Sequence, residues 1–210
     1  MLLGSIAYAS QPKHILDAGA GSGVLGLMMA QRYDQARITC VELDPKAAEE
    51  CLLNSERSPF ATRIHSIQAN LIEFEHYPAF DLIVSNPPYY TSENSSSAAN
   101  ELQKHLSEEN FNRWLQACYR LLAPSGIFWM IYPANQLQRI ATQAQATLFY
   151  ECERHTVLNQ HLNPVRIISA YQKKAKGLKL NELTIRNSDG TYSEVYKQLT
   201  KDFHSKEPIR

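Results

Sequence analysis

The sequence predicts a doubly wound α/β domain: a mostly parallel sheet with helices on both faces and an antiparallel hairpin at its end. Three observations predict it. Short apolar or β-branched runs alternate with helix-period segments along most of the chain. A glycine-rich turn joins the first such run to the first helix. The runs ECERHTVLN and VRIISAYQK have only QHLNP between them, too short for the crossover that a parallel pair needs.

The opening MLLGSIAYASQPKH contains Ala7-Tyr8-Ala9, which looks like a signal-peptidase site. It has no basic n-region and only a short apolar part, so it reads as an ordinary helix leading into the first strand. HILDAG is a short buried strand, GVLGLMMAQRY a helix, and RITCVEL a β-branched strand. In DPKAAEECLLNSE, Asp44 is the N-cap and Pro45 takes the first helical position. RIHSIQA alternates as a strand, and FDLIVSN is an almost continuous apolar strand. The helix through SEENFNRWLQACYRLLAPSG begins with a weak capping box, Ser107 to Asn110, and ends at Pro124-Ser125-Gly126. Its Trp114, Leu115 and Tyr119 recur at helical spacing and read as core.

IFWMIY is the next strand, followed by a Gln/Ala-rich helix from Ala134 to about Thr147 and the two hairpin strands. The tail LNELTIRNSDGTYSEVYKQLTKDFH supplies a short strand, a turn at Ser188-Asp189-Gly190 and a helix. SENSSSAAN, from Ser92 to Asn100, is low in complexity and reads as a mobile loop.

Bulk properties narrow the function classes. With 210 residues, 44% of them hydrophobic, the chain can bury one substantial core. No apolar run approaches a membrane span, so no membrane partner is expected. The four cysteines show no paired spacing and read as free thiols in a reducing cytoplasm. The seven histidines include no pair at ligand spacing, so no metal is expected. Ser22 sits in GSG without the G-x-S-x-G spacing of a nucleophile elbow. The net charge of zero gives no global field for nucleic acid. Lys173, Lys174, Lys176 and Lys179 nevertheless cluster without an acid, as either a solvated loop or a local phosphate patch.

Two motifs carry chemistry. LDAGAGSG places Asp17, Gly19, Gly21 and Gly23 where the first strand meets the first helix, so the backbone can approach a ligand closely. Glu42 ends the second strand, where a carboxylate can accept both hydroxyls of a ribose. These features fit a nicotinamide dinucleotide nearly as well as S-adenosylmethionine. Asp17 favours the methyl donor, because it could pair with an amino group and would repel a pyrophosphate.

The second motif, Asn86-Pro87-Pro88-Tyr89, follows the fourth strand on the same edge. Neither proline can donate to a ladder, and each forces the residue before it into an extended conformation. The motif is therefore a stiff turn or a bracket. As a bracket, the Asn86 side-chain oxygen and the Pro87 carbonyl hold the two N–H groups of an exocyclic amine. Pro88 fixes their direction and Tyr89 offers a face for the base. Tyr90 either stacks behind Tyr89 or packs under the loop.

LDAGAGSG, Glu42 and NPPY together resemble the class I S-adenosylmethionine-dependent methyltransferases that act on amino nitrogens. NPPYY, FDLIVS and the tail LTIR…YSEVYKQLTKDF resemble more narrowly the bacterial tRNA1(Val) adenine(37)-N6 methyltransferases, from Leu2 to about Phe203. The resemblance implies a Rossmann-like seven-stranded sheet with an antiparallel C-terminal hairpin. It also implies a methyltransferase domain over 1–174 and a strand/helix extension over 175–210.

The implied reaction moves a methyl group from S-adenosyl-L-methionine to N6 of an adenine in tRNA, leaving S-adenosyl-L-homocysteine, in the cytoplasm and without an obligate protein partner. Alternatives are an amino-methyltransferase acting on protein glutamine, rRNA or DNA, and a shortened, inactive cofactor-binding module. Carried onto this chain, the resemblance puts Asp17, Ala18, Gly19 and Gly21 beside the methionine part. Glu42 falls on the ribose, Leu43 and Asn70 at the adenine, and Asn86, Pro87, Pro88 and Tyr89 at the target base. Tyr89, Tyr90, Lys173 and Lys174 are the expected substrate contacts.

The chain departs from the family's pattern in three places. Family members begin some tens of residues earlier, with a Thr-Asp-Gly segment that closes over the cofactor. QANL has Asn70 where an Asp is usual, and SSSAAN lacks an expected arginine.

Overall fold

The computed structural model describes residues 1–87 and 108–203. Pro88, Tyr89, Tyr90, the SENSSSAAN stretch and the Ser107 capping position lie outside the described residues.

The fold is built around one mixed sheet. Its strands are β1 (His14–Ala18), β2 (Arg37–Glu42), β3 (Ile64–Gln68), β4 (Phe80–Ser85), β5 (Leu122–Pro133), β6 (Tyr150–Leu158), β7 (Pro164–Gln172) and β8 (Lys179–Thr184). They lie in the order β3-β2-β1-β4-β5-β7-β6-β8. Strands β1 to β5 pair in parallel, and β7 runs antiparallel between β5 and β6. The sheet thus has eight strands, one more than the seven that the resemblance implies. The eighth is the tail strand, which pairs in parallel with β6 and extends the sheet beyond the hairpin.

The helices are α1 (Leu2–Ile6), α2 (Val24–Arg32), α3 (Pro45–Glu56), α4 (Glu108–Leu121), α5 (Leu137–Ala146) and α6 (Glu194–Thr200). The α3 cap forms as its sequence dictates, Asp44 Oδ1 accepting from Ala47 N at 2.8 Å. Helix α4 stops at Leu121, earlier than the Pro124-Ser125-Gly126 signal, because Leu122 already pairs with Phe80 as the first residue of β5. A Cβ at Gly126 would meet the Phe80 carbonyl oxygen at 2.9 Å, which explains a glycine inside this strand.

Strands buried on both faces read as continuous apolar runs, and the core is divided accordingly. One face packs Leu16, Ile83, Phe128 and Tyr132 against Trp114 and Leu115 of α4 and Ile140 of α5. The other packs Ile15, Ile38, Val84 and Trp129 against Leu3, Met29 and Cys51 of the first three helices. All four cysteines are free. Among the described residues no helix is long and apolar enough to cross a membrane.

Candidate active site

The strand order reverses between β1 and β4, where open α/β sheets bind ligands beyond the carboxyl strand ends. Gly19, Gly21 and Gly23 have φ of 73°, 54° and 83°, the left-handed region that glycine enters without a Cβ penalty. A Cβ at Gly19 or Gly21 would meet nothing within 4 Å, so these positions border open space. At Gly23 and Gly26 the reason for glycine is contact: an added Cβ would lie 2.7 Å from Cys51 Sγ and 2.5 Å from Cys40 Sγ.

Carboxylates hold this loop through the backbone. Glu42 Oε2 accepts from Gly21 N at 2.7 Å, and Oε1 accepts from Leu43 N at 2.8 Å and Asp44 N at 2.9 Å. A carboxylate has about four acceptor directions, so one remains for a ligand hydroxyl. Asp17 is fully buried, with Oδ2 accepting from Gly26 N at 2.8 Å. Its Oδ1 is buried without a hydrogen-bond partner. Burial pushes the Asp17 carboxyl up to about 7 against the pull of the Gly26 N–H, with Cys51 and Glu42 adding to the rise.

The Asn86 side of the cleft starts from the neighbouring strand. Ser85, the last residue of β4, donates its hydroxyl to the Ala18 carbonyl at 2.5 Å. Asn86 is exposed and Pro87 buried, and both line a cleft of about 1050 Å³ together with Gly19, Gly21, Glu42, Leu43 and Asn70. That volume is at the upper end for small-molecule sites, leaving room for a nucleoside-sized group with a second base beside it. Asn70 Oδ1 accepts from Ile72 N at 3.1 Å, which fixes its amide at the cleft wall.

Of the expected residues, Gly19, Gly21, Glu42, Leu43, Asn70, Asn86 and Pro87 come together in this cleft, and the other described ones lie elsewhere. Asp17 and Ala18 lie fully buried behind the glycine loop and do not line the cleft. Lys173 and Lys174 follow β7, which runs from the cleft edge at Arg166, opposite Pro133, back to the other edge at Tyr171, opposite Phe128. Lys173 Nζ donates to the Leu122 carbonyl at 2.6 Å and sits 4.5 Å from the centre of the Tyr119 ring. Burial lowers its pKa.

Asn110, Arg113 and Trp114 of α4 also line the cleft and were not among the expected site residues. Their i, i+3, i+4 spacing places them on one helix face, a signal the sequence does carry. Among the described residues no three His, Cys, Asp or Glu side chains gather to hold a metal ion.

Comparison with known proteins bears on the family and the fold. The family model described as methyltransferase small domain matches residues 1–137, and one described as DNA methylase matches residues 80–205. A tRNA1(Val) (adenine(37)-N6)-methyltransferase of Shewanella sp. (strain W3-18-1) is 34% identical over 98% of this chain and 90% of its own length. One of Glaesserella parasuis is 33% identical over 98% and 88%.

Among solved structures, a predicted O-methyltransferase from Agrobacterium tumefaciens aligns over 95% of this chain and 94% of its own, with a TM-score of 0.72 at 20% identity. A glycopeptide N-methyltransferase solved with (S)-adenosyl-L-methionine aligns over 80% and 90%, with a TM-score of 0.60 at 11% identity. At such identities these structures speak for the fold alone.

Proposed function

Because the chain belongs to the family of bacterial tRNA1(Val) (adenine(37)-N6)-methyltransferases, we propose that it methylates the exocyclic N6 of an adenine in tRNA, adenosine 37 of tRNA1(Val). The donor is S-adenosyl-L-methionine, the product S-adenosyl-L-homocysteine, and the location the cytoplasm. One observation carries this beyond kinship: the open glycine positions and Glu42 line the same cleft as Asn86 and Pro87, so donor and acceptor groups face one space.

The donor fits the residues present. Gly19 and Gly21 leave the cradle that a side chain would fill. Glu42 keeps an acceptor direction that would take a ribose hydroxyl, while Leu43 and Asn70, on the same cleft wall, would hold the adenine. When bound, the donor supplies a methyl group on a cationic sulfonium. Asp17, one layer back, keeps the turn into α2 in place through Gly26 N.

On the acceptor side, an amine conjugated to a purine is a poor nucleophile because its lone pair is delocalised. The Asn86 side-chain oxygen and the Pro87 carbonyl accept its two N–H groups, and the nitrogen re-pyramidalises toward the methyl carbon. Alignment and charge placement supply most of the acceleration. The surplus proton on the methylated nitrogen leaves to solvent. Pro88, Tyr89 and Tyr90, the rest of the motif, lie outside the described residues.

Labelled methyl donor offered separately to total tRNA, DNA and protein tests the acceptor class. Label in tRNA as N6-methyladenine is the expected result. Label confined to DNA or to glutamine would overturn the tRNA assignment, and the DNA arm is included because of the DNA methylase match over residues 80–205.

A further inference from the structure

The cleft accounts for one nucleotide, whereas an RNA substrate continues on either side of it. Strands β4, β5, β6 and β8 point the same way, so Ser85, Pro133, Leu158 and Thr184 end at one edge of the sheet. Two turns rise from that same edge, three and four strands along from β4: the β6–β7 turn over 159–163 and the tail turn over 185–193. They are joined, since Ile185 N donates to the Leu158 carbonyl at 3.4 Å.

The tail turn is a preformed stack. The Arg186 guanidinium lies 4.1 Å from the centre of the Tyr192 ring, and Tyr192 stacks on Tyr196 at 4.8 Å with an interplanar angle of 18°. Arg186 Nη1 donates to the Gly190 carbonyl at 2.6 Å, which fixes the guanidinium plane while the residue stays exposed. Asp189, the acid within this turn, has its Oδ1 committed to Thr191 N at 2.9 Å and Thr191 Oγ1 at 2.6 Å. Glu194 pairs with Lys197. On β7, two strands from β8 with β6 between them, Arg166 is exposed and donates to its own neighbour, the Val165 carbonyl. Among the described residues neither arginine forms an ion pair, unlike Arg154, which is locked to Glu151.

Resting on the tRNA reading above, we propose that Arg166 and Arg186 form a shelf that takes the phosphates of the RNA strand running on from the target adenosine. The outer face of the Arg186 plane is available to a base. From β4 to β8 the sheet spans roughly 19 Å, four strand spacings, within the reach of the ~4 or more nucleotides that a single-stranded site covers. A planar, preordered guanidinium is the side chain suited to phosphate. The Lys173–Lys176 cluster, on the opposite edge, is not part of this surface.

The experiment measures Kd of unmodified tRNA transcript for the full chain at several salt concentrations, alongside S-adenosylmethionine affinity. Arg166→Gln/Arg186→Gln should weaken tRNA binding about tenfold or more and lower the slope of log K against log salt by about 1 to 2, with donor affinity unchanged. Lys174→Gln/Lys176→Gln should leave both quantities near those of the unsubstituted chain. Unaltered affinity and slope in the arginine variant, or the whole loss reproduced by the lysine variant, would overturn the shelf alone. An unsubstituted chain that neither binds nor methylates tRNA would defeat the tRNA reading itself.

Discussion

The two halves of the sheet use their carboxylates differently. In the half formed by β3, β2, β1 and β4, acids bond backbone N–H groups. Asp17 holds Gly26, Glu42 holds Gly21, Leu43 and Asp44, Asp44 holds Ala47, and Asp81 holds Lys13 and His14. In the half formed by β5 to β8, the strand acids Glu151 and Glu153 bond side chains. Glu151 takes Arg154 and Ser169, and Glu153 gathers Tyr8, His155, Lys179 and Asn181. A carboxylate on backbone amides fixes the path of a loop. A carboxylate among side chains ties strands together and titrates with them. In the first arrangement Asp17, Glu42 and Asp44 stand at the cleft end of the strands and Asp81 at the opposite end, and the second fastens the tail strand and the N-terminal segment to the sheet.

The largest effect that would sharpen the contrast is at the bracket, where geometry alone should matter. Asn86→Ala is expected to lower single-turnover methylation by about two to three orders of magnitude, as for loss of one preorganised hydrogen-bonding group. Calorimetric donor affinity should stay within about threefold, and near-normal turnover would remove the bracket mechanism. Next is Glu42→Gln, which keeps the shape but replaces the charged acceptor of three N–H groups. Bonds to charged groups are worth about 1.5–3 kcal/mol, so donor affinity should fall by one to two orders of magnitude. Undiminished affinity would mean that the loop needs no carboxylate.

Packing comes third. Gly26→Ala drives a Cβ to 2.5 Å from Cys40 Sγ and should cost about 1–3 kcal/mol in denaturant unfolding. A neutral result would show that α2 can lift off β2 freely.

The smallest effect separates the halves by the sign of their pH response. Burial raises Asp17 from 3.8 to about 7, so its contribution to stability is full below pH 3.8 and lost as pH climbs through 7. His155 runs the other way. Burial holds it below 6.5, with Glu153 pulling part way back, so its contribution is full above pH 6.5 and lost below. For Glu153, burial pushes the carboxyl up, and His155 and Lys179 together outweigh that and hold it below 4.5. Its contribution therefore fades as pH falls under 4.5. Between about pH 5.5 and pH 8, Asp17→Asn should remove a fall of several degrees in the melting midpoint, and His155→Gln should flatten the acid side instead. The same slope in both variants would erase the distinction.

What the sequence made legible follows the same division. The Asp44 cap and the left-handed glycines of the first turn are local patterns, and both formed as read, whereas Glu42 reaches Gly21, 21 residues away. Lys173 could not be read in this way. Its partner, the Leu122 carbonyl, lies 51 residues away, and only the β5–β7 register brings the two together. The tail strand was legible as a strand, but its place beside β6 depends on a pairing that no local signal encodes. Asn110, Arg113 and Trp114 share a visible helix face, yet periodicity does not say which void that face borders.

The hydroxyl of Ser85 resting on the Ala18 carbonyl has a consequence for how the reactants are spaced. The strand that leads into the glycine loop and the strand that leads into Asn86-Pro87 are immediate neighbours, in register at Asp17 and Val84. Their separation is a ladder spacing of about 4.8 Å, a dimension set by peptide geometry. Two jaws cut from one sheet cannot drift apart as two hinged lobes can, so on the proposed reading the gap the methyl group crosses is built into the fold rather than made anew at each turnover.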